Sequence, residues 1–524
     1  MPRSYSGDRL SAEDAVFLYS ETDQAPLHIG SVSTFDGPIP FEACVDYVES
    51  RLPLIPRYRQ RIVTPPFHFG HPTWEADPDF DIRNHVHHAQ LQRGTDAELR
   101  AFAGRLFARV MDRNRPLWDI TVVDGLKGGR SALISRVHHC LVDGVSGVGL
   151  MNIMLDPALQ ADTHKHKAHR AGPLPGPAES LADAMATSFS EMVDRVLAAQ
   201  SDALDVAEAL FSEGAVRALD QLRRLGPDLA TPIKPLPFNQ PCLGPRNVAW
   251  TEIPMAQVKA IRETCGGTLN DVVLSVVTSA VRQYVELHGV NVRRQMLRLM
   301  VPVNLRRQGP DNGLGNRVSL LPVSAPLDVR DPVKLLEEIR QRTEALKRAR
   351  VADWIHLAAT WMGITPVPFQ AAAGPLSSLL PVPPFHMVCT NVPGPQVPLY
   401  ALGRKMLTYY PYVPIANQMG LGCAIQSYNQ VLYIGLTADT QALPDVVRLR
   451  RFVDLAFREL CRAAGVAVKH DRLRRKPMKA RGASGGGIRS NGFAESPLPE
   501  FAPRLTATPL ESKSSVASAP AAGD

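Results

Sequence analysis

Residues 117–139 read LWDITVVDGLKGGRSALISRVHH. Two apolar runs flank Lys127-Gly128-Gly129, so the segment predicts two strands joined by a glycine-rich turn. The second run ends on His138 and His139, and the chain continues CLVDGVSG, with Asp143 and Gly144 in close succession. A histidine pair is therefore delivered at the end of a strand. Three uses are open to it: a catalytic base with a supporting carboxylate, a metal site, or an ordinary turn.

The chain is long enough for more than one core. Its 524 residues suggest two or more domains, and 45% hydrophobic with 21% charged residues is a globular balance. Forty-five prolines imply many loops and interrupted elements. The formal net charge of +7 suits an anionic partner: nucleic acid, a phosphorylated cofactor or an anionic membrane surface. Much of the excess lies in HDRLRRKPMKAR, His470 to Arg481, so the charge describes a tail more than a core. The seven cysteines are scattered and form no CxxC pair, which argues against a zinc ribbon or a thioredoxin-type site. They read as reduced thiols of a cytosolic protein. The N-terminal MPRSYSGDRLSAEDAVF has no apolar signal-peptide core, so no secretory signal is expected. Trp354 to Gly403 lacks Asp, Glu, Lys and Arg, yet its prolines would break a spanning helix. It reads as buried core or pocket lining; the alternative is a surface that touches lipid.

Strand and helix patterns alternate in both halves. LSAEDAVFLYSETD predicts a helix capped by Ser11, with Asp14 three residues on. HIGSVSTFDG alternates as a half-buried strand does. After a polar, Pro- and Gly-rich stretch, His164 to Ser180, come predicted crossover helices and a second Pro-rich connector. The second half offers a strand, a helix, a Gly-Gly turn and a long helix starting near Asn270. LRLMVPVNLR, NRVSLLPVSAPL and GLGCAIQSYNQVLYIGLTAD supply further strands. The helices DPVKLLEEIRQRTEALKRAR and PDVVRLRRFVDLAFRELCRAAG complete it. This predicts an α/β fold of α+β layers. The divisions are 1–163, an N-terminal domain; 164–246, a linker; 247–469, a C-terminal domain; and 470–524, a basic, disordered tail.

Chemical elimination narrows the histidine pair. Adjacent residues on a strand point to opposite faces, so His138 and His139 cannot easily share an ion, and no third ligand is in sight. No metal is expected. GVSGVG fails as a nucleophile elbow because Val148 stands two beyond Ser146. The glycines at 144, 147 and 149 do not fit a dinucleotide fingerprint. A general base remains, since an imidazole can take a proton from an attacking hydroxyl or amine near neutral pH, and beside it a core histidine followed by an ordinary Asp-Gly turn; the adjacent pair, the Asp and the Gly at fixed spacing favour the base.

HHCLVDG fits the HHxxxDG pattern of CoA-dependent acyltransferases related to chloramphenicol acetyltransferase, which peptide-synthetase condensation domains share. Other segments narrow the likeness. LSAEDAVFLYSETDQAPLHIG, PTWEADPDFDIRNHV, RPLWDI, TLNDVVL, VPVNLR, LGNRVS and TNVPGP stand in the order found in bacterial wax ester synthase/diacylglycerol acyltransferases, and together the chain resembles that family from near residue 10 to near residue 465.

The resemblance implies two acyltransferase domains with the site in a channel between them. It implies that His139 is the base, His138 a structural neighbour, and Asp143 a carboxylate that shapes the loop. Gly144, Asn270 and Asp271 are candidates for substrate or oxyanion contacts, with helix capping an equal alternative for Asn270 and Asp271. Pro116, Leu117, Trp118, Asn304, Arg306 and Asn391 match motifs whose expected role is packing or shaping. The implied substrates are acyl-CoA and a lipid alcohol, with no cofactor and no nucleic acid. The implied location is cytoplasmic, peripheral to the plasma membrane's inner face or to lipid droplets. A condensation-like enzyme with another acceptor, or a non-catalytic lipid-surface protein, are the competing readings.

Overall fold

The computed structural model describes residues 8–65, 70–142, 144–158, 232–304, 318–351, 355, 367, 369–371, 384–416 and 418–468. Most of the expected linker, the whole tail, Asp143, Arg306 and half of the charge-free stretch lie outside them.

In chain order the first half contains β1 (Asp8–Arg9), α1 (Ala12–Ser20), β2 (His28–Phe35), α2 (Phe41–Arg51), β3 (Gln60–Val63), β4 (Thr73–Ala76), β5 (Val86–Gln90), α3 (Asp96–Phe107), β6 (Trp118–Leu126), β7 (Arg130–His138) and α4 (Gly144–Met154). The second half contains β8 (Arg246–Pro254), α5 (Met255–Cys265), α6 (Leu269–Leu287), β9 (Met296–Asn304), β10 (Val318–Pro326), α7 (Pro332–Arg348), β11 (Met387–Val392), β12 (Tyr400–Ala401), β13 (Arg404–Tyr412), β14 (Leu421–Tyr428), β15 (Val431–Asp439) and α8 (Val446–Ala463).

Local chemistry accounts for these elements. Ser11 caps α1 as expected: its Oγ accepts the Asp14 N–H at 3.1 Å. The β6–β7 turn needs Gly128 and Gly129 because both adopt positive φ, 81° and 68°. The long helix α6 is buried on nearly every face, which its run of Val, Leu and Ala demands.

Two six-stranded sheets carry the architecture, in the orders β12-β13-β2-β7-β6-β5 and β10-β9-β11-β14-β15-β8. A small sheet, β1-β4-β3, stands apart. The division at residue 247 therefore needs correcting. Strands β12 and β13 belong to the second half of the chain, yet β13 pairs antiparallel with β2 in the first sheet, Tyr412 opposite Gly30 and Met406 opposite Phe35. Local periodicity cannot reveal a partner so remote. The crossing is tight: a Cβ on Gly435 of β15 would sit 1.9 Å from the Pro411 carbonyl oxygen of β13. Trp250 stacks on Tyr410 at 4.6 Å, and the Tyr410 hydroxyl donates to Glu252 at 2.6 Å.

Polar ties reinforce the crossing. Buried Arg246 donates to the Gln24 carbonyl at 2.6 Å and stands 3.4 Å from Asp439. Asp156, just beyond α4, accepts from the Tyr47 hydroxyl at 2.8 Å and pairs with Arg51 at 2.5 Å. Its backbone exchanges both hydrogen bonds with Tyr400 of β12, each at 2.8 Å. One carboxylate thus joins α2, the end of α4 and the crossing strand. Replacing Asp156 by Ala leaves a buried guanidinium unpaired, and a destabilisation of about 3 kcal/mol is expected. Urea unfolding measures it; a midpoint within error of wild type would show that the tie carries no stability.

Candidate active site

Strand β7 ends at His138, and His139 lies in the turn that leads to α4. His138 is fully buried and His139 only partly so. The two histidines therefore have different surroundings, and each is gripped separately.

His138 is held from three sides. Its N–H donates to the Leu117 carbonyl at 2.9 Å. Its Nδ1 accepts the Cys140 N–H at 3.2 Å, which assigns the neutral ring's proton to Nε2. Nε2 faces Oε1 of Glu21 at 3.3 Å, an ion-pair distance without hydrogen-bond alignment. Burial pushes the Cys140 thiol well above its ordinary range, so it stays a neutral packing group. Across the sheet His138 stands opposite His28. Burial, with the charges of Arg136 and Arg246, lowers the His28 pKa well below its usual value. His28 is thus a neutral ring packed against Tyr412 at 5.5 Å.

His139 is held by α1 and the chain behind it. Its ring stacks on Phe17 at 3.9 Å with an interplanar angle of 6°. Its N–H donates to the Leu27 carbonyl at 3.0 Å. The Leu27 N–H in turn donates to Glu21 at 2.9 Å, and Arg113 pairs with the same carboxylate at 3.0 Å. Burial alone would raise the Glu21 pKa, but His138, the Leu27 N–H and Arg113 outweigh it and lower the pKa to about 2.

Glu21 and Phe17 are the residues that sequence reasoning missed. Both lie in LSAEDAVFLYSETDQAPLHIG, a stretch matched as a whole but given no chemistry. Their signal was a carboxylate and an aromatic in a segment otherwise explained by capping and strand alternation. The Pro-Leu-Trp motif is buried. Trp118 donates its indole N–H to the Tyr58 carbonyl at 2.8 Å and stacks on Tyr58 and His85, while Leu117 lends its carbonyl to His138.

The second half contributes a separate cluster. Asn391 of β11 donates to Asn270 Oδ1 at 3.4 Å. Val392 is in register with Gln426, whose amide contacts the Met151 sulfur of α4 at 4.0 Å. Helix α4 therefore runs from the histidine turn to the strand ends that carry Asn391. Asp271 does not belong to this cluster. It closes a capping box with Thr268 and accepts the Thr343 hydroxyl of α7 at 2.7 Å, all while buried. Of the two roles open to it, the structure shows capping, because both its oxygens are already committed. Asn304 ends β9 opposite Val318. Among the described residues no group of three or more potential ligands could hold a metal.

Comparison with known proteins decides the family. Residues 10–273 match the model of the wax ester synthase/diacylglycerol acyltransferase catalytic domain, and residues 314–461 match that of the WS/DGAT C-terminal domain. The chain belongs to this family. It is an acyltransferase. The probable diacylglycerol O-acyltransferase tgs1 of Mycobacterium tuberculosis is 32% identical over 483 residues, covering 91% of this chain and 99% of that one. A putative diacylglycerol O-acyltransferase of Mycobacterium bovis matches to the same extent. Among solved structures, the wax ester synthase/diacylglycerol acyltransferase of Marinobacter aquaeolei VT8 superposes with a TM-score of 0.58 at 24% identity, over 87% of this chain and all of that one. The starter condensation domain of rhizomide synthetase superposes with a TM-score of 0.54 at 14% identity, over 88% and 95%. These two likenesses concern the fold, and they support the two-part acyltransferase architecture expected from the sequence.

The buried acid makes a pH prediction. The Glu21 pKa is lowered in the folded acyltransferase, so its stabilisation is complete above the ordinary carboxylate range and is lost as pH falls toward about 2. Roughly 3 kcal/mol follows from a shift of that size. Glu21→Gln should be less stable than wild type at pH 7, with the difference shrinking below pH ~4 as wild type loses its advantage. Thermal unfolding at both pH values tests this; a constant difference would show that Glu21 is not ionised in the native state.

Proposed function

We propose that this acyltransferase moves a long-chain acyl group from acyl-CoA to the hydroxyl of diacylglycerol, giving triacylglycerol, and to a fatty alcohol, giving wax ester. His139 is the general base. The observation that supports this most is its setting: a partly exposed imidazole at the end of a sheet strand, its ring clamped by Phe17 and its backbone by Leu27. A base held this way loses little orientational freedom when the acceptor arrives.

In the proposed reaction His139 takes the acceptor's hydroxyl proton as that oxygen attacks the thioester carbonyl. The carbon becomes tetrahedral and its oxygen carries the negative charge. Asn270, whose Oδ1 accepts from Asn391, has its amide nitrogen as the candidate donor to that oxyanion. The carbon–sulfur bond then breaks, and the departing thiolate recovers the proton from His139. No acyl-enzyme forms and no cofactor is required. The names of the relatives support the diacylglycerol acceptor.

Peripheral attachment to a membrane or lipid-droplet surface is part of the same reading. No helix of the described residues is long and apolar enough to cross a membrane. On α8, Val447, Arg451, Leu455, Arg458 and Arg462 are exposed at intervals of three and four, which places them on one face. Apolar and cationic side chains side by side suit an anionic lipid surface. Six Lys and Arg follow between His470 and Arg481.

Two experiments test these statements. With labelled palmitoyl-CoA and dioleoylglycerol, His139→Ala should lower ester formation by at least 10²-fold; a rate near wild type would remove the mechanism. A chain ending at residue 468 with Arg451→Glu and Arg458→Glu should lose at least tenfold in affinity for phosphatidylglycerol vesicles. Undiminished flotation of that variant with the vesicles would overturn the attachment.

A further inference from the structure

A cavity of about 400 Å³ lies beside α1, between that helix, β3 and the loop before β6. Its polar lining comes from Arg61, Arg113, Tyr19, Thr64 and Asn114, and none of the described lining residues is acidic. Two guanidiniums therefore line a space to which the described residues contribute no carboxylate.

Neither guanidinium is fully used. The buried Nε of Arg61 has no hydrogen-bond partner among the described residues. Glu75 stands directly across from Arg61 in the β3–β4 pairing, but its carboxylate accepts from the Thr73 hydroxyl at 3.2 Å, and no ion pair joins it to Arg61 among the described residues. Arg113 spends Nε and Nη2 on Glu21 and the Leu18 carbonyl, and Nη1 is left over. A buried, unsatisfied N–H on a charged group is costly unless something binds it. Forked guanidinium donors match the oxygens of a phosphate, and the Thr64 hydroxyl adds a neutral donor, while the Tyr19 hydroxyl and the Asn114 amide are engaged with His71 and Asp112.

The cavity is also close to the reaction. Leu18 lines it, and the preceding residue, Phe17, is the one stacked on His139. Successive helical residues point about 100° apart. The cavity and the base thus occupy different faces of α1, and a single ligand touches both only if an extended arm runs past the helix. An acyl-CoA has that form, a phosphate-rich nucleotide joined to its thioester by a long pantetheine arm. We propose that this cavity is a binding site for a phosphate ester, filled by the nucleotide end of the acyl donor. The identity of the donor rests on the acyl-CoA reading above.

The test compares two donors, palmitoyl-CoA and palmitoyl-pantetheine, which lacks every phosphate. Arg61→Glu should raise KM for palmitoyl-CoA about tenfold or more and leave kcat within about twofold, since lost ground-state contacts act on KM. KM for palmitoyl-pantetheine should not move. Arg61→Lys, which keeps the charge without the fork, should restore part of the affinity for palmitoyl-CoA. Equal losses with both donors, or none with either, overturn the site. Unchanged KM for palmitoyl-CoA with lost binding to phosphatidylglycerol vesicles would assign the cavity to a lipid headgroup and overturn the donor assignment. Wild-type protein that transfers from neither donor would overturn the acyl-CoA reading. Calorimetry with coenzyme A alone then judges the site separately: it stands if Arg61→Glu weakens binding and falls if it does not.

Discussion

A carboxylate buried to 3% exposure has to be compensated, and the compensation of Glu21 organises the site. Its partners come from three distant places: the Leu27 N–H before β2, Arg113 before β6, and His138 at the end of β7. All three are satisfied only when α1 and the sheet are assembled together. Once they are, the Leu27 peptide is fixed at both ends, with N–H to Glu21 and carbonyl to His139. His139, the proposed base, is therefore held through its backbone by an acid that has no part in the proposed proton transfer. Replacing that ionic tie by loose contacts would loosen the backbone that carries the proposed base.

The two halves of the chain are joined as firmly as the site. Strand β13 leaves the second half to pair with β2, and Gly435 lacks a side chain where the β13 backbone crosses β15. Arg246 adds a buried charge and Asp156 a half-buried one to the ties between the halves. Helix α4 then carries the connection from the histidine turn to Gln426. An acyl transfer that needs a base from one half and polar groups from the other is served by this arrangement, because the halves cannot drift apart without breaking a sheet.

Much of this was legible from local pattern. The Gly-Gly turn announced the β6–β7 hairpin, Ser11 announced the start of α1, and the packing role of Trp118 followed from its apolar ring. The histidine pair was recognisable by elimination and by the order of the surrounding motifs. Glu21 was not, because nothing in its own neighbourhood shows that it will be buried; its partners lie six, 92 and more than a hundred residues away. Asp271 shows the reverse. Thr268 and Asp271 form a capping signal readable on its own terms, and capping, one of the two roles the sequence left open, is the one its hydrogen bonds display.

The sequence by itself determined the elements and the family-type histidine motif that carries the proposed base. Side-chain periodicity, caps and turn glycines act over a few residues, so they can be read without knowing the fold. Only the tertiary structure decided which strand closes the first sheet, which acid holds the histidines, and which arginines line the cavity beside α1. Those outcomes depend on contacts such as Thr34 with Thr408, 374 residues apart. No short window of sequence contains both partners, and burial, which decides whether a charge must be paired, exists only after the chain has folded.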